Sequence, residues 1–284
     1  MKLKIGEHAG FCFGVRRAVD KAFECAQQQL PCVTLGPLIH NPQEVDRLER
    51  AGVRSVDSLE EVAAGQTVII RSHGVTPQVY AQCEARGIPV IDCTCPHVAH
   101  IHQLVGEYSR DGRAVIIVGE ADHPEVVGIA GWANGPVFIL PTREAAVAAK
   151  LPGEALVVAQ TTIRRDRFED VLSVLRMRVN DLTVRMTICA ATSKRQQEAE
   201  SLSREADVMI VVGGRNSSNT QKLLETCRLR CERAYQVETP EDVPCGIVTS
   251  TDRVAITAGA STPQWLLEQV RARVEALVKE NSGK

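Results

Sequence analysis

The sequence predicts an α/β protein of three similar units with mainly parallel sheets. Three observations lead there. Short β-branched runs alternate with longer helical patterns along the whole chain, the arrangement of α/β folds. The longest apolar runs, such as those at 115–118 and 208–212, are strand-sized. Finally, one local pattern occurs three times: strand end, tight turn, cysteine, helix start.

Taken in order, strands are expected at 2–7, 32–35, 67–71, 89–92, 114–118, 137–140, 155–159, 181–185, 208–212 and 255–258. Helices are expected at 15–29, 43–51, 78–86, 97–110, 125–132, 165–179, 192–205, 220–229 and 263–279. The repeated pattern holds Cys12 in His8-Ala-Gly-Phe-Cys-Phe-Gly14, Cys95 in Asp92-Cys-Thr-Cys-Pro96, and Cys189 in Thr187-Ile-Cys-Ala-Ala-Thr192. These cysteines stand 83 and 94 residues apart, so we expect units 13–94, 95–188 and 189–284, the last completed by a strand within 1–12. In open α/β sheets, ligands gather beyond the carboxyl ends of the strands. Three sheets turned toward one axis would bring the three cysteines to one centre. The last four residues, 281–284, are expected to fray.

Composition narrows the function. With 33 Lys and Arg against 35 Asp and Glu, the chain carries no basic nucleic-acid footprint. Five Phe, two Trp and three Tyr are too few for a base-stacking platform. No secretory leader and no membrane span is legible, so a cytoplasmic protein without nucleic-acid or membrane partners is expected. Ten cysteines in such a chain then point to metal, cluster or catalysis rather than to disulfides.

A helix N-terminus favours the thiolate, the form that binds metal. Cys12, Cys95 and Cys189 sit where that field acts, whereas a lone cysteine elsewhere is a small buried hydrophobe. Cys93 and Cys95 would face the same side of an extended strand, so both compete for one ligand position. Three thiolates suit a zinc site with one open position or a [4Fe–4S] cluster with one iron lacking a protein ligand. His40, His73 and His123 each lie at a strand-to-helix turn, where imidazole and free helix N–H groups make an anion site. His8, His97, His100 and His102 lack such turns and read as structural. Ser217, Ser218 and Asn219 in Gly213-Gly-Arg-Asn-Ser-Ser-Asn-Thr220, and Ser261 in Thr257-Ala-Gly-Ala-Ser-Thr-Pro263, offer donors to a phosphate or cap a helix. Gln160-Thr-Thr162 closes another strand with two hydroxyls. Neither a P-loop nor a G-x-G-x-x-G appears, so ATP and NAD sites are not indicated. Glu125, the one acid in a motif turn, suits a general acid held in an enclosed site or a favourable first-turn glutamate.

Nine segments in order resemble the LytB-type 4-hydroxy-3-methylbut-2-enyl diphosphate reductases: AGFCFGV, GPLIHNP, SHGV, the TCP of DCTCP, HPEV, QTT, TICAAT, GGRNSSNT and GAST. That resemblance implies three lobes with pseudo-threefold symmetry around one [4Fe–4S] cluster per chain, held by Cys12, Cys95 and Cys189. It implies that His40, His73, His123, Ser217, Ser218, Asn219 and Ser261 bind an allylic diphosphate. It also implies that Glu125 delivers protons, with Thr161 at the substrate hydroxyl and Thr162 as second choice. The reaction would yield isopentenyl and dimethylallyl diphosphate, with reduced ferredoxin or flavodoxin as electron donor. A non-redox iron–sulfur hydro-lyase and a non-catalytic cluster- or zinc-binding regulator are the alternative classes. The first would need no reductant, and the second would show no diphosphate affinity.

Overall fold

The computed structural model describes residues 1–282, with twelve strands and ten α-helices. The strands are β1 (Lys2–Ile5), β2 (Cys32–Leu35), β3 (Arg54–Val56), β4 (Thr67–Ile70), β5 (Val90–Asp92), β6 (Ala114–Val118), β7 (Val137–Ile139), β8 (Glu154–Ala159), β9 (Asp181–Val184), β10 (Val208–Val212), β11 (Ala234–Val237) and β12 (Arg253–Ala258). The helices are α1 (Phe13–Gln27), α2 (Pro42–Arg50), α3 (Pro77–Ala85), α4 (Pro96–Tyr108), α5 (Pro124–Gly131), α6 (Arg143–Ala148), α7 (Arg165–Arg178), α8 (Ala190–Glu205), α9 (Ser218–Arg228) and α10 (Gln264–Ser282). Four of them begin at a proline, whose fixed φ and missing N–H suit a first helical turn.

The strands form three four-stranded parallel sheets, ordered β3-β2-β4-β5, β7-β6-β8-β9 and β11-β10-β12-β1. Each sheet repeats one order, with the second strand outermost, then the first, the third and the fourth. In the last sheet the fourth place is taken by β1, the first strand of the chain. The α/β class and the parallel sheets are therefore as expected. By compactness the chain forms two units. One comprises Met1–Val15, Ile39–Glu44 and the segment from Ala190 onward, and carries the sheet containing β1. The other comprises Arg16–Leu38 and Val45–Cys189, and carries the remaining two sheets.

The central strands are buried on both faces, so they read as unbroken apolar runs. Alternation along β6 and β8 assigns their residues to opposite layers. Ile116, Val118, Val157 and Ala159 pack with Phe168, Leu172 and Leu175 of α7. Val115, Ile117, Leu156 and Val158 pack with Ile101 and Val105 of α4 and Val126 and Ile129 of α5. The β1-containing sheet does the same with Leu266, Val270 and Val274 of α10 on one side. On its other side lie Ala199 and Leu202 of α8 with Leu223 and Cys227 of α9.

Three elements escape the sequence pattern: β3, β11 and α6. The strands are short outer members with mixed burial, and α6 spans only six residues. The expected fraying at 281–284 is corrected for its first half, because α10 continues through 281 and 282; the remaining two positions lie outside the described residues. No helix among the described residues is long and apolar enough to cross a membrane.

The three histidines of α4 differ in environment. His97 and His100 face solvent, whereas His102 is 3% exposed and stacks on Trp132 with ring centroids 5.3 Å apart. Burial pushes the His102 imidazole down to about 4, so the folded state holds it neutral. The unfolded chain then binds the proton first, and stability is lost as pH falls from about 6.5 toward 4. Between pH 7 and 5 the parent should lose about 2 kcal/mol more than His102→Gln, read from urea unfolding at both pH values. Parallel losses in the two proteins would refute this assignment.

Candidate functional site

Each of the three expected cysteines occupies one kind of junction. Cys12 immediately precedes α1, Cys95 is the N-cap of α4, and Cys189 immediately precedes α8. Each also donates its backbone N–H to a carbonyl two residues beyond a third-position strand. Cys95 donates to Ser72 past β4 (3.0 Å), Cys189 to Thr161 past β8 (3.0 Å), and Cys12 to Ala260 past β12 (3.2 Å). The same backbone bond thus fixes all three thiols at helix starts. All three are half-buried, no disulfide joins the ten cysteines, and six of the others are fully buried. Cys93 belongs to that buried group; its N–H continues the ladder to the carbonyl of Ile70, and burial pushes its thiol up. Cys95, not Cys93, holds the repeated position.

The same counting locates the polar candidates. Five residues beyond the first strand of each sheet lie His40, His123 and Ser217; three beyond the third strand lie His73, Thr162 and Ser261. Six of the ten residues expected to contact substrate or move protons therefore fall on two recurrent positions past the strand ends. Both positions are at the carboxyl ends, where parallel sheets present ligands to their loops.

In the unit carrying two sheets, Glu125 and Thr161 meet. Glu125 is 2% exposed in the first turn of α5, and Thr161 is 6% exposed in the turn after β8. The Thr161 backbone N–H donates to Glu125 Oε1 at 2.6 Å, and Thr161 Oγ1 donates to Oε2 at 2.7 Å. Pairing of Val118 with Ala159 in the β6–β8 ladder brings the two turns together across 36 residues. Thr162 is less buried, and its Oγ1 accepts from Gln160 Nε2 at 3.2 Å. Gln160 Oε1 in turn accepts from the Glu120 N–H at 3.1 Å, tying the two loops. His123 caps α5 by accepting the Glu125 N–H on Nδ1 at 3.1 Å. An accepting Nδ1 carries no proton, so its proton sits on Nε2. The His73 and His123 rings meet edge to face with centroids 5.4 Å apart.

In the other unit, His40 comes beside the serine loop. The Gly214 α-carbon is so near the His40 carbonyl that a Cβ there would stand 2.6 Å from that oxygen. The loop is tied down by Gln236 Nε2, which donates to the carbonyls of Gly213 (3.2 Å) and Gly214 (3.0 Å). Ser217 caps α9 by accepting the Thr220 N–H at 3.4 Å. Ser218 Oγ and Asn219 Nδ2 are buried and have no hydrogen-bond partner in the protein. Such atoms cost roughly 1–3 kcal/mol each when left unmatched, and a ligand oxygen relieves that cost. Ser261 is half-buried, and its neighbour Thr262 anchors the turn through Oγ1 to the Val212 carbonyl at 2.9 Å.

Some supporting residues have no local signal in the sequence. Asn41 caps α2 by accepting the Glu44 N–H at 2.9 Å, and Trp265 Nε1 donates to Glu44 Oε2 at 2.7 Å. The Asn-Pro pair after His40 marks the cap, but nothing near Glu44 announces a partner 221 residues away.

A repeated α/β scaffold that sets thiols, imidazoles and hydroxyls past its strand ends is the architecture of an enzyme acting on a small ligand. A family model described as "LytB protein" matches residues 3–275, and the chain belongs to the LytB family. It is similar to a 4-hydroxy-3-methylbut-2-enyl diphosphate reductase of Caldanaerobacter subterraneus subsp. tengcongensis, 41% identical with both chains fully covered. Another similar protein, named the same way, is that of Aquifex aeolicus, 43% identical over 96% of each chain. Among solved structures, an (E)-4-hydroxy-3-methyl-but-2-enyl diphosphate reductase titled the terminal enzyme of the non-mevalonate pathway shares 42% identity. It has a TM-score of 0.72 and covers 97% of this chain and all of its own. The Plasmodium falciparum reductase structure has a TM-score of 0.89 at 27% identity, covering 97% of this chain and 87% of that one.

The thiols are distinguishable by reactivity. Burial pushes Cys32 and Cys227 up to about 11 from 9.0, which cuts their thiolate fraction about a hundredfold at neutral pH. In the metal-free protein, iodoacetamide at pH 8 should label Cys12, Cys95, Cys189 and the exposed Cys245 at least tenfold faster than those two. Mass spectrometry of the labelled peptides reads the order. Equal labelling of Cys32 and Cys189 would contradict it.

Proposed function

We propose that this chain reductively removes the allylic hydroxyl of 4-hydroxy-3-methylbut-2-enyl diphosphate. Two electrons and two protons enter, the C–O bond breaks, and water leaves with isopentenyl and dimethylallyl diphosphate as products. Family membership and the relatives' names support this reading. The observation that carries it is the buried Glu125–Thr161 pair, held at 2.6 and 2.7 Å.

Cys12, Cys95 and Cys189 would hold one [4Fe–4S] cluster per chain. The donor set fits: three half-buried thiols at helix starts, each fixed by one recurrent backbone bond, set apart from six buried cysteines. When bound, such a cluster supplies single electrons and a Lewis-acidic iron. Reduced ferredoxin or flavodoxin would be the electron source. The repeated sheet order supports three related units with the boundaries 13–94, 95–188 and 189–284 plus 1–12.

Hydroxide is a poor leaving group, so a proton must reach the departing oxygen. For proton delivery the Oγ1–Oε2 bond reverses: protonated Glu125 donates from Oε2 to Thr161 Oγ1, and Thr161 turns its own hydroxyl proton to the substrate oxygen. The threonine needs no rotation of its backbone, since its N–H is fixed on the same carboxylate. The diphosphate is bound by neutral donors: His40, His73, His123, Ser217, Ser218, Asn219 and Ser261. His123 presents Nε2–H, and the unmatched Ser218 Oγ and Asn219 Nδ2 call for acceptor oxygens. Thr162 lies one residue further from the carboxylate and serves as a lesser substrate contact. Holding the phosphate end in this way would leave only the hydroxymethyl end to react.

Anaerobic protein reconstituted with iron and sulfide should convert the substrate to both products with dithionite and be inactive without it. Turnover without reductant would favour a hydro-lyase. Glu125→Gln keeps the shape and removes the acid, so turnover should fall 10²–10⁴-fold with diphosphate affinity retained. A variant within about threefold of the parent would exclude proton delivery by Glu125.

A further inference from the structure

Between β1 and Cys12 the chain runs six residues without regular structure, from Gly6 to Phe11. A thiol at the end of such a loop keeps its place only if something outside the loop holds it. One turn of α8 does so. Arg195 is 4% exposed, and its guanidinium donates from Nε to the His8 carbonyl at 3.0 Å and from Nη2 to the Gly10 carbonyl at 2.8 Å. Three residues on, on the same helix face, Glu198 works with opposite polarity. Its Oε1 accepts the Glu7 N–H at 2.6 Å and its Oε2 the His8 N–H at 3.0 Å. The carboxylate presses so close that a Cβ at Gly6 would stand 2.6 Å from Oε2.

Carbonyls at 8 and 10 and amides at 7 and 8 are thus satisfied by two side chains of one helix. The planar guanidinium suits this task because its donors are set in a fixed fork, which lysine lacks. The loop ends at Cys12, whose own N–H is fixed to Ala260. We propose that Arg195 and Glu198 are positioning residues for Cys12. They hold the loop in the conformation that presents the thiol to the cluster, and so govern how firmly the cluster is kept. This inference rests on the cluster reading above and goes beyond it. It assigns a function to two residues of α8 that carry no ligand atom.

The test uses full-length chains carrying Arg195→Gln, Arg195→Lys or Glu198→Gln, reconstituted anaerobically with iron and sulfide beside the parent. Iron release to a ferrous chelator, electron paramagnetic resonance of the reduced cluster, and amide exchange at Glu7 and His8 in the metal-free chain are measured. Thermal melting serves as the control for folding. Charge-assisted hydrogen bonds of this kind lead us to expect at least tenfold faster release from Arg195→Gln, with an altered resonance. Arg195→Lys should fall between it and the parent. Glu198→Gln should release iron about threefold faster, with quicker exchange at both amides.

Folded variants that keep iron as the parent does, with its resonance, overturn the proposal. If Arg195→Gln does not fold, Glu198→Gln decides the matter: faster amide exchange with parent-like iron release overturns it. A parent chain that takes up no iron and sulfide defeats the cluster reading itself, a failure distinct from parent-like variants of a loaded parent.

Discussion

A backbone N–H has one proton to give, and in this protein each of three cysteines gives it to a carbonyl just past a third-position strand. That single bond does two things. It satisfies an amide at a helix start, where four such groups lack intrahelical partners. It also makes the thiol's place depend on a rigid sheet rather than on its own flexible turn. The rest of the site follows from this. The residue whose carbonyl receives the bond is Ser72, Thr161 or Ala260, and the next is His73, Thr162 or Ser261. A thiol and the polar residues beside it are therefore set by one strand end.

Thr161 shows how far this economy goes. Its carbonyl holds Cys189, its N–H holds one oxygen of Glu125, and its hydroxyl holds the other. Burying a carboxyl group is costly unless it is hydrogen-bonded. The two contacts from one residue meet that need and fix the geometry of the proposed proton transfer at the same time. In the proposed reaction the residue that moves the proton and the residue that anchors a cluster ligand are the same threonine.

Much of this was legible before the fold was known. The pentamers at 114–118 and 208–212 announce central strands because both their faces are buried. The turns bearing His40, His73 and His123 stand out because proline or glycine follows within two residues. What sequence hides is what depends on partners. Strand β3 has one buried residue in three, and β11 mixes Tyr and Gln into its run, since outer strands need less apolar surface. The Glu125–Thr161 pair exists only once β6 and β8 are in register. Arg195 and Glu198 look like ordinary helix-surface residues, because nothing in α8 tells which backbone will lie against it. Between Cys93 and Cys95 the resemblance favours Cys95, and the reason Cys93 is set apart, the ladder that carries it into the core, is visible only in the fold.

The placement of β1 has a consequence for biosynthesis. Among the described residues its only hydrogen-bonded neighbour strand is β12, Lys2 pairing with Arg253. On the ribosome β1 must therefore wait, unpaired, for β12, and a pairing so distant along the chain is slow to form. The carbonyl of Ala260 that locks Cys12 emerges later still. The bond that locks this thiol in place is thereby deferred until the segment around position 260 has been made.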